Sequence, residues 1–438
     1  MTTTTIEQTP GGEVDVRDRA DVLRQVKLVV ALAVAAILLL LFVLSIDDPT
    51  VYFTLERQAT VDTRSEMNGI LVGWIAFAVV VLVLALAAVN RVPRGWPGAV
   101  LCTLAGLAFI VGFLVWYYAD QEPIPGIGAI TMVNPLRQTI IYATPLVLGA
   151  LAGVLCERSG VINIAIEGQF LMGAFFGAVA ASLAYSAEMG LVGAALAGVA
   201  VAALLAWFAI RFHINQVVLG VVLIALSLGL TNFLLGQIPS TQANPELHAY
   251  LNEPPTLSDI AIPGLSDIPV IGAALFDHKI LVFIMYVSVA LVAWLLYKTR
   301  WGLRVRAVGE HPKAADTVGI NVARMRWSAV LLGGVFAGLG GAFFTVGSTG
   351  AFDQNPSNGQ GFIALAAVIM GRWHPIGASL AAVFFGFMLA LRDQLSVLTK
   401  IDGDLLSAAP YIITVIAVAG FVGRVRPPAA DGQPYVKS

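Results

Sequence analysis

Residues 69–89 read GILVGWIAFAVVVLVLALAAV, a run of twenty-one residues without a charged side chain. A helix needs about 20 mostly apolar residues to cross the hydrocarbon core of a bilayer, so this stretch predicts a transmembrane helix. The rest of the chain has the same character, because 58% of its 438 residues are hydrophobic and only 12% are charged. The sequence therefore predicts an all-α fold, a polytopic transmembrane helix bundle.

The apolar runs predict about 11–12 spans, some of them short or broken. The runs are 27–46, 69–89, 98–118, 136–155, 161–183, 190–210, 216–236, 279–298, 327–348, 360–371, 375–392 and 408–423. The run 360–371 is too short to cross alone unless it is tilted, broken or re-entrant. We divide the chain into a polar N-terminal segment 1–26, a three-span extension 27–128, a core 129–423 and a C-terminal tail 424–438.

The distribution of Lys and Arg predicts the orientation. With residues 1–26 in the cytoplasm, nineteen of the 25 basic side chains fall on the cytoplasmic side and six on the outer side or edge. Positive residues accumulate on the inner side of membrane proteins, so we expect both termini in the cytoplasm and the chain in the plasma or inner membrane. Connection 298–326 is then internal and basic. Connection 237–278 is external and lacks Lys and Arg; it is either a cap over the bundle or a docking surface for an outside partner.

Several classes of protein lack support in the sequence. A phosphate-binding P-loop requires Gly-Lys before Ser or Thr, but none of the six lysines follows a glycine. The H-E-x-x-H and G-x-S-x-G motifs are absent, the five histidines lack metal-ligand spacing, and a net charge of −2 does not favour nucleic acid as a partner. We expect no catalytic residue, metal or cofactor in the chain itself, and we find no constellation that supports an intramembrane enzyme or a receptor.

The basic connection 298–326 contains signals for a short helix. Pro312 suits the first turn of a helix and Gly319 suits the position just past its end. Between them, Ala314 and Ala315 contribute to a face of small residues. A short exposed helix flanked by basic residues is suited to contact with a partner protein. The alternative is a solvated loop whose cations only set the topology.

Three motifs follow one another along the predicted core. The first is ERSGVINIAIEGQFLMGAF at 157–175, the second spans 300–320 within the basic connection, and the third is GFIALAAVIMGRWHPIG at 361–377. Together they resemble the permease subunits of ABC importers of the ribose/nucleoside branch, the branched-chain amino acid/simple-sugar permease family, and are closest to the nucleoside type. Ala165 and Gln169 stand where the pattern of that type usually has Gly and Met.

The resemblance implies a function and partners. In the family the segment R-x-G-x-x-x-R-A-x-G-E-x-P-x-A-A-x-x-x-G-I couples the permease to its ATPase. The implied coupling residues here are Arg306, Gly309, Glu310, Pro312, Ala314, Ala315 and Gly319. We expect import of nucleosides, or of simple sugars, driven by a separate ATPase subunit that binds ATP and Mg²⁺. The other expected partners are a second permease subunit, homologous or identical, and an external substrate-binding lipoprotein.

Four polar residues are candidates for the substrate path. Glu167 lies in an apolar run, where an ionisable side chain costs about 2.5–3.5 kcal/mol and thereby suggests a function. If Ser159 caps that helix, Asn163 and Glu167 lie one turn apart on one face. Asn232 and Gln360 are further candidates nearer the mouth of the path. Two alternatives for Glu167 remain open: it bonds a neighbouring backbone at a helix break, or it is the proton site of a secondary transporter.

Overall fold

The computed structural model describes residues 19–54, 65–93, 96–119, 130–131, 133–268, 271–396 and 426–436. The chain forms two compact units, 1–131 and 132–438. Among the described residues, ten helices are long and apolar enough to cross a membrane, which confirms the polytopic helical fold. The predicted span 408–423 lies outside the described residues.

The first unit contains three long helices and a small sheet. Its elements are α1 (Arg19–Leu44), β1 (Thr50–Thr54), β2 (Ser65–Asn68), α2 (Gly69–Ala88), α3 (Trp96–Tyr118) and β3 (Ile130–Thr131). Strand β1 pairs antiparallel with β2 and parallel with β3. Helix α2 begins where it does because the side chain of Asn68 accepts a hydrogen bond from the Leu71 amide at 3.0 Å, the usual function of an N-cap. Between the helices, Phe42 stacks on Trp116 with ring centroids 4.4 Å apart.

The second unit holds the remaining helices. Its elements are α4 (Val133–Arg158), α5 (Ile166–Ala184), α6 (Ala187–Ala206) with a π-helical end (Trp207–Arg211), α7 (Gln216–Gln237), α8 (Pro245–Asn252), β4 (Asp259–Ala261), α9 (Ile271–Leu275), β5 (Asp277–Lys279), α10 (Ile280–Lys298), α11 (Arg300–Glu310), α12 (Pro312–Thr317), α13 (Val322–Ala342) with a π-helical extension (Thr345–Thr349), α14 (Gln360–Met370) and α15 (Pro375–Ser396).

Close backbone contacts hold α5, α6 and α13 together. A Cβ atom added at Gly173 of α5 would lie 2.5 Å from the carbonyl oxygen of Gly338 in α13. On the other side of α13, a Cβ added at Gly334 would lie 2.8 Å from the carbonyl oxygen of Gly198 in α6. Small residues allow such approach, and dispersion and weak polar contacts then stabilise the helix pairs in lipid. Side chains on these faces would separate the helices.

The start of α5 differs from the prediction. The helix begins at Ile166, and its N-cap Ala165 makes no side-chain hydrogen bond. Ser159 does not cap α5, because its hydroxyl donates to the carbonyl of Cys156 at 2.6 Å. Gly160 adopts a left-handed conformation with φ +86°, which is how many helices end. The prediction that Asn163 and Glu167 lie one turn apart on the same helix is therefore wrong, since Asn163 precedes the helix.

Both long connections of the second unit contain regular secondary structure. The connection 237–278 contains α8, α9 and a β4–β5 hairpin. Asn252 fastens it to the bundle, because its side chain donates to the Phe352 carbonyl at 3.0 Å and accepts from the Phe352 amide at 2.8 Å. In the connection 298–326 the predicted short helix is α12, but it follows a further helix, α11, which the proline and glycine signals did not reveal.

Candidate functional site

Glu167 lies in the first turn of α5 and is almost fully buried. One carboxylate oxygen accepts hydrogen bonds from the Ser357 hydroxyl at 2.6 Å and the Gly359 amide at 2.9 Å. The other oxygen accepts from the Gly361 amide at 2.7 Å. These donors lie at the start of α14, where backbone amides lack partners within the helix and the helix dipole is positive. The carboxylate therefore caps α14 from a different helix.

The capped end of α14 lies deep within the bundle. The turn that follows α14 is at the same end of the second unit as the end of α4, because Arg158 Nε donates to the Trp373 carbonyl at 2.7 Å. We call this the α12 end of the second unit, and the opposite one the α8 end. Eleven residues of helix span about 16 Å, roughly half of a 30 Å hydrocarbon core. The contact of Glu167 with α14 thus lies at roughly half the thickness of a hydrocarbon core from this turn.

A second buried polar contact lies beside the first. The Asn163 amide donates to the side-chain oxygen of Gln169 at 3.1 Å, and both side chains are fully buried. Within the described residues, Asn163 Oδ1 and Gln169 Nε2 have no hydrogen-bond partner. Gln169 is one of the two residues that depart from the usual family pattern, and it was not among the candidate path residues. The two side chains leave one acceptor and one donor available inside the protein.

Asn232 and Gln360 also present unpaired amide oxygens. Gln360 is the first residue of α14, next to the Glu167 contact, and Asn232 lies on α7. Asn232 Oδ1 and Gln360 Oε1 are enclosed and have no partner among the described residues. Among the described residues, no hydrogen bond joins Asn232 to Glu167. The structure therefore places Gln360 beside Glu167 and Asn163 beside Gln169, and it keeps Asn232 on a separate helix.

Helix α12 matches the helix expected from its sequence signals. It starts with Pro312, and Gly319 just beyond it has φ +82°, a left-handed conformation that favours glycine. Ala315 packs inward with Val308 and Val322. The outer face of the helix, with Ala314, is exposed to solvent, and so is Val318 beyond its end, at 74% of its surface.

Helix α11 packs directly on the end of α4. A Cβ atom added at Gly309 would lie 2.2 Å from the backbone oxygen of Arg158. Arg306 lies over the ring of Tyr297 with its guanidinium carbon 4.8 Å from the ring centroid, and the same ring stacks on His374 at 4.9 Å. Burial and the nearby Arg158 lower the pKa of His374. The segment before α12 is thus attached to the turn between α14 and α15.

Sequence patterns did not reveal most of these contacts at the α12 end. Tyr297, Trp373 and His374 were not candidates, and neither was Glu157, whose carboxylate accepts a hydrogen bond from the Trp373 indole. Trp373 and Glu157 are 216 positions apart. The only available signal was their membership of the first and third family motifs, which sequence spacing alone does not bring together.

A cavity of about 210 Å³ lies at the α8 end. Among the residues that line it, Arg137 pairs with Asp259 of β4 at 3.1 Å. Burial lowers the pKa of both His278 and Lys279, so burial disfavours additional positive charge beside Arg137.

The family of the chain follows from comparison with known proteins. Residues 136–419 match the family described as branched-chain amino acid transport system / permease component. This match covers more than half of the chain, and the chain therefore belongs to this family of permeases. It is a multi-pass membrane protein and a permease subunit of an ABC transporter, a transport component rather than an enzyme.

Particular relatives refine this assignment. The chain is 42% identical to the guanosine ABC transporter permease protein NupQ of Bacillus subtilis over 310 residues, which are 68% of this chain and 95% of NupQ. It is 38% identical to the nucleoside ABC transporter permease protein NupC of Lactococcus lactis over 327 residues, 70% of this chain and 99% of NupC. It is 30% identical to the putative glucose ABC transporter permease protein TsgC13 of Haloferax volcanii over 308 residues, 66% of this chain and 92% of TsgC13. No solved structure matches the chain significantly.

Membership of this family implies, in general, an ATPase partner and a substrate-binding protein. It confirms the expected class of protein and does not favour the alternative of a proton-coupled secondary transporter.

Proposed function

We propose that this chain is the membrane channel through which an ABC importer admits nucleosides. The observation that carries the proposal is the similarity to NupQ and NupC, which extends over almost their whole length and exceeds the identity to the glucose permease TsgC13. Simple sugars are the second candidate substrate, because TsgC13 is also a relative.

The contacts of Glu167 support an uncharged solute. In several transporters a broken helix near the middle of the membrane points its positive N-terminus at an anionic group of the substrate. Here the donors at the start of α14 already bind the Glu167 carboxylate. A phosphate or carboxylate on the solute would have to compete with a buried negative charge. A nucleoside avoids that repulsion, whereas a nucleotide does not.

The unpaired amide groups suit the polar edges of a nucleoside. Asn232 and Gln360 each present an enclosed oxygen without a partner among the described residues, and ribose hydroxyls and base amino groups are hydrogen-bond donors. Asn163 and Gln169 add one acceptor and one donor. We assign Asn163, Glu167, Asn232 and Gln360 to the path, with Glu167 shaping it through α14 rather than acting as a proton site.

We further propose that residues 306–320 receive the motion of the ATPase. The exposed side of this segment carries Lys313, Ala314 and Val318, while Ala315 is packed inward. An exposed apolar patch beside basic residues is suited to a protein partner. The α12 end then faces the cytoplasm, as the excess of basic residues predicts, and the termini lie on that side.

The remaining partners follow from the same arrangement. On the outer side, the ordered 237–278 segment is the proposed dock for an external substrate-binding lipoprotein. A second permease subunit, homologous or identical, would complete the pathway. ATP and Mg²⁺ would be held by the ATPase.

Uptake in whole cells tests the substrate. Labelled guanosine, uridine, ribose and uridine monophosphate would be offered to cells with and without the chain, with either ATP or the proton gradient depleted. We expect nucleoside uptake that requires the chain and ATP, and no uptake of the monophosphate. Uptake of ribose alone would show that the substrate is a simple sugar and not a nucleoside. Uptake that follows the proton gradient without ATP would overturn the proposal.

A pair of substitutions tests the ATPase contact. Val318→Asp places a charge in the proposed contact and should abolish coupled uptake while the chain still reaches the membrane. Val89→Asp places the same charge at an exposed valine outside this segment and serves as the control. Equal uptake by the two variants would contradict the assignment of 306–320.

A further inference from the structure

A segment outside the family match crosses the α12 end of the second unit. Residues 426–436, which we call the strap, lie beyond the 136–419 that match the family. Pro428 and Ala430 are buried, and Gly432 has φ +70° within two consecutive turns. Three prolines limit the conformations that the free strap could adopt, so less entropy is lost when it docks.

One side of the strap holds the segment proposed to contact the ATPase. The Ala430 amide donates to the Gly309 carbonyl at 2.9 Å, and the Ala429 amide donates to the Glu310 carboxylate at 3.2 Å. Tyr435 packs on the cluster that contains Ala315. The Tyr435 hydroxyl also donates to the side chain of Asp316 in α12. The strap therefore contacts both α11 and α12.

The other side of the strap rests on the turn between α4 and α5. A Cβ atom added at Gly160 would lie 3.0 Å from the Ala430 carbonyl oxygen, and one added at Gly432 would lie 2.6 Å from Ile162. These contacts have no room for larger residues. The turn that they cover leads directly to Asn163 and then into α5.

A buried arginine also attaches the strap to α13. Arg326 of α13 is 2% exposed, and its Nη1 donates to the Gln433 carbonyl at 2.9 Å. The Asp431 side chain is partly buried near Arg326 and attracts its charge. At the strap's far end, the His213 ring pairs with the Tyr435 carbonyl at 3.1 Å. A charged hydrogen bond in a buried position is among the stronger ones in proteins.

We propose that the strap is a positioning element that joins α12 to the α4–α5 turn, so that movement of α12 is passed to the start of α5. Without the strap, α12 is attached through α11 and α13, and the α4–α5 turn loses its contacts with Ala430 and Gly432. The strap leaves Ala314 and Val318 exposed, so it does not cover the proposed ATPase contact. The proposal rests on the proposed coupling role of 306–320.

Hydrogen exchange of the full permease complex, isolated with its ATPase, tests the mechanical part. The variants are a deletion of 426–438, Tyr435→Ala and Tyr435→Phe, with Val436→Ala as control because Val436 is exposed. We expect the amides of 309–320 to exchange about tenfold faster in the deletion and in Tyr435→Ala. Tyr435→Phe keeps the ring and should lie between these variants and the wild type. Unchanged exchange in the deletion and in Tyr435→Ala would overturn the proposal.

Uptake per ATP hydrolysed tests the functional part in the same variants. We expect the ratio of labelled guanosine imported to ATP hydrolysed to fall in the deletion and in Tyr435→Ala, at an unchanged amount of chain in the membrane. A ratio that stays the same or rises despite faster exchange would overturn the positioning role. If the wild type imported no nucleoside, the proposed substrate would fail, but the exchange measurement would still decide whether the strap holds α12.

Discussion

The two units of the chain use apolar residues in different ways. In the first unit, α1 and α2 have the highest mean hydropathy, 3.0. Only 22% and 28% of the residues in their most apolar stretches are buried. In the second unit, the most apolar stretches of α4, α5 and α13 have mean hydropathies of 1.4–2.0, and 72–83% of their residues are buried. Among the described helices, the two most apolar are therefore among those least enclosed by protein.

The physical reason is that lipid is itself apolar. Burial of a leucine against another helix gains little over burial against lipid chains, so helices in a membrane associate through close packing and polar contacts. The second unit contains both, in the backbone contact of Gly173 with Gly338 and in the bonds of Glu167 to α14. In the first unit the glycine Gly112 of α3 faces the side chain of Leu39 and not backbone, and aromatic rings such as Phe42 and Trp116 pack between the helices.

The largest predicted effect compares one glycine from each unit. A Cβ atom at Gly338 would lie 2.2 Å from the Ala194 carbonyl oxygen, whereas one at Gly106 of α3 would meet nothing within 4 Å. Gly338→Leu should therefore cost about 3 kcal/mol or more, since backbone would have to move. Gly106→Leu should change stability by no more than about 0.5 kcal/mol. Thermal unfolding of the purified chain measures both, and equal losses would remove the distinction between the units.

The next effect concerns the buried carboxylate. Glu167→Ala leaves the donors of Ser357, Gly359 and Gly361 without their acceptor, which should cost about 3 kcal/mol. Glu167→Gln keeps one oxygen and should cost roughly half as much. Glu246→Gln, at an exposed position of α8, is the matched control. Unfolding free energies and guanosine uptake would be measured together, and a stable Glu167→Ala chain would contradict the capping role.

The sequence predicted the elements whose signals are local. Apolar runs located the long helices, Pro312 and Gly319 located α12, and the shortness of 360–371 indicated a helix that does not cross alone. The hypothesis that Glu167 bonds backbone at a helix break describes the contacts of the structure, and its place on the path stays a prediction. The start of α5 was wrong because Ser159 bonds the end of α4 instead of capping the next helix.

The contacts that were missed depend on residues far apart in the chain. Helix α11 begins at its N-cap Thr299 and not at a proline, and the bond between Trp373 and Glu157 appears only when α4 and α14 lie side by side. The strap was expected to be a polar tail. Its docking depends on Gly160 and Gly309, whose missing side chains provide the space.

A smaller effect separates two leucines of α1. Leu39 is fully buried in the first unit and Leu41 is 58% exposed. Leu39→Ala should cost about 2 kcal/mol, because it leaves a cavity. Leu41→Ala should cost less than about 0.5 kcal/mol, because surface substitutions rarely cost more. The measurement is again thermal unfolding. Equal costs would show that packing between side chains contributes little to the stability of the first unit. The apolar character of its helices alone would then account for that stability.

The smallest predicted effect is a pH dependence of the strap in the second unit. Burial raises the pKa of Asp431 in the strap from its ordinary value of 3.8 to about 7, although a backbone hydrogen bond from Gly432 and the charge of Arg326 act in the opposite direction. The docked strap thus binds a proton more tightly than the free strap. Docking is fully favoured below about pH 4 and weakens as the pH rises through 7.

Hydrogen exchange at pH 5 and pH 8, corrected for the intrinsic rate, measures this dependence. We expect the amides of 429–433 to exchange several-fold faster at pH 8, and Asp431→Asn to remove the difference because it cannot ionise. The amides of α2 provide the control within the same molecule, because α2 contains no ionisable side chain. Slower corrected exchange of the strap at pH 8, or an equal change in α2, would contradict the prediction. The comparison of the units would then have to rest on their glycine contacts alone.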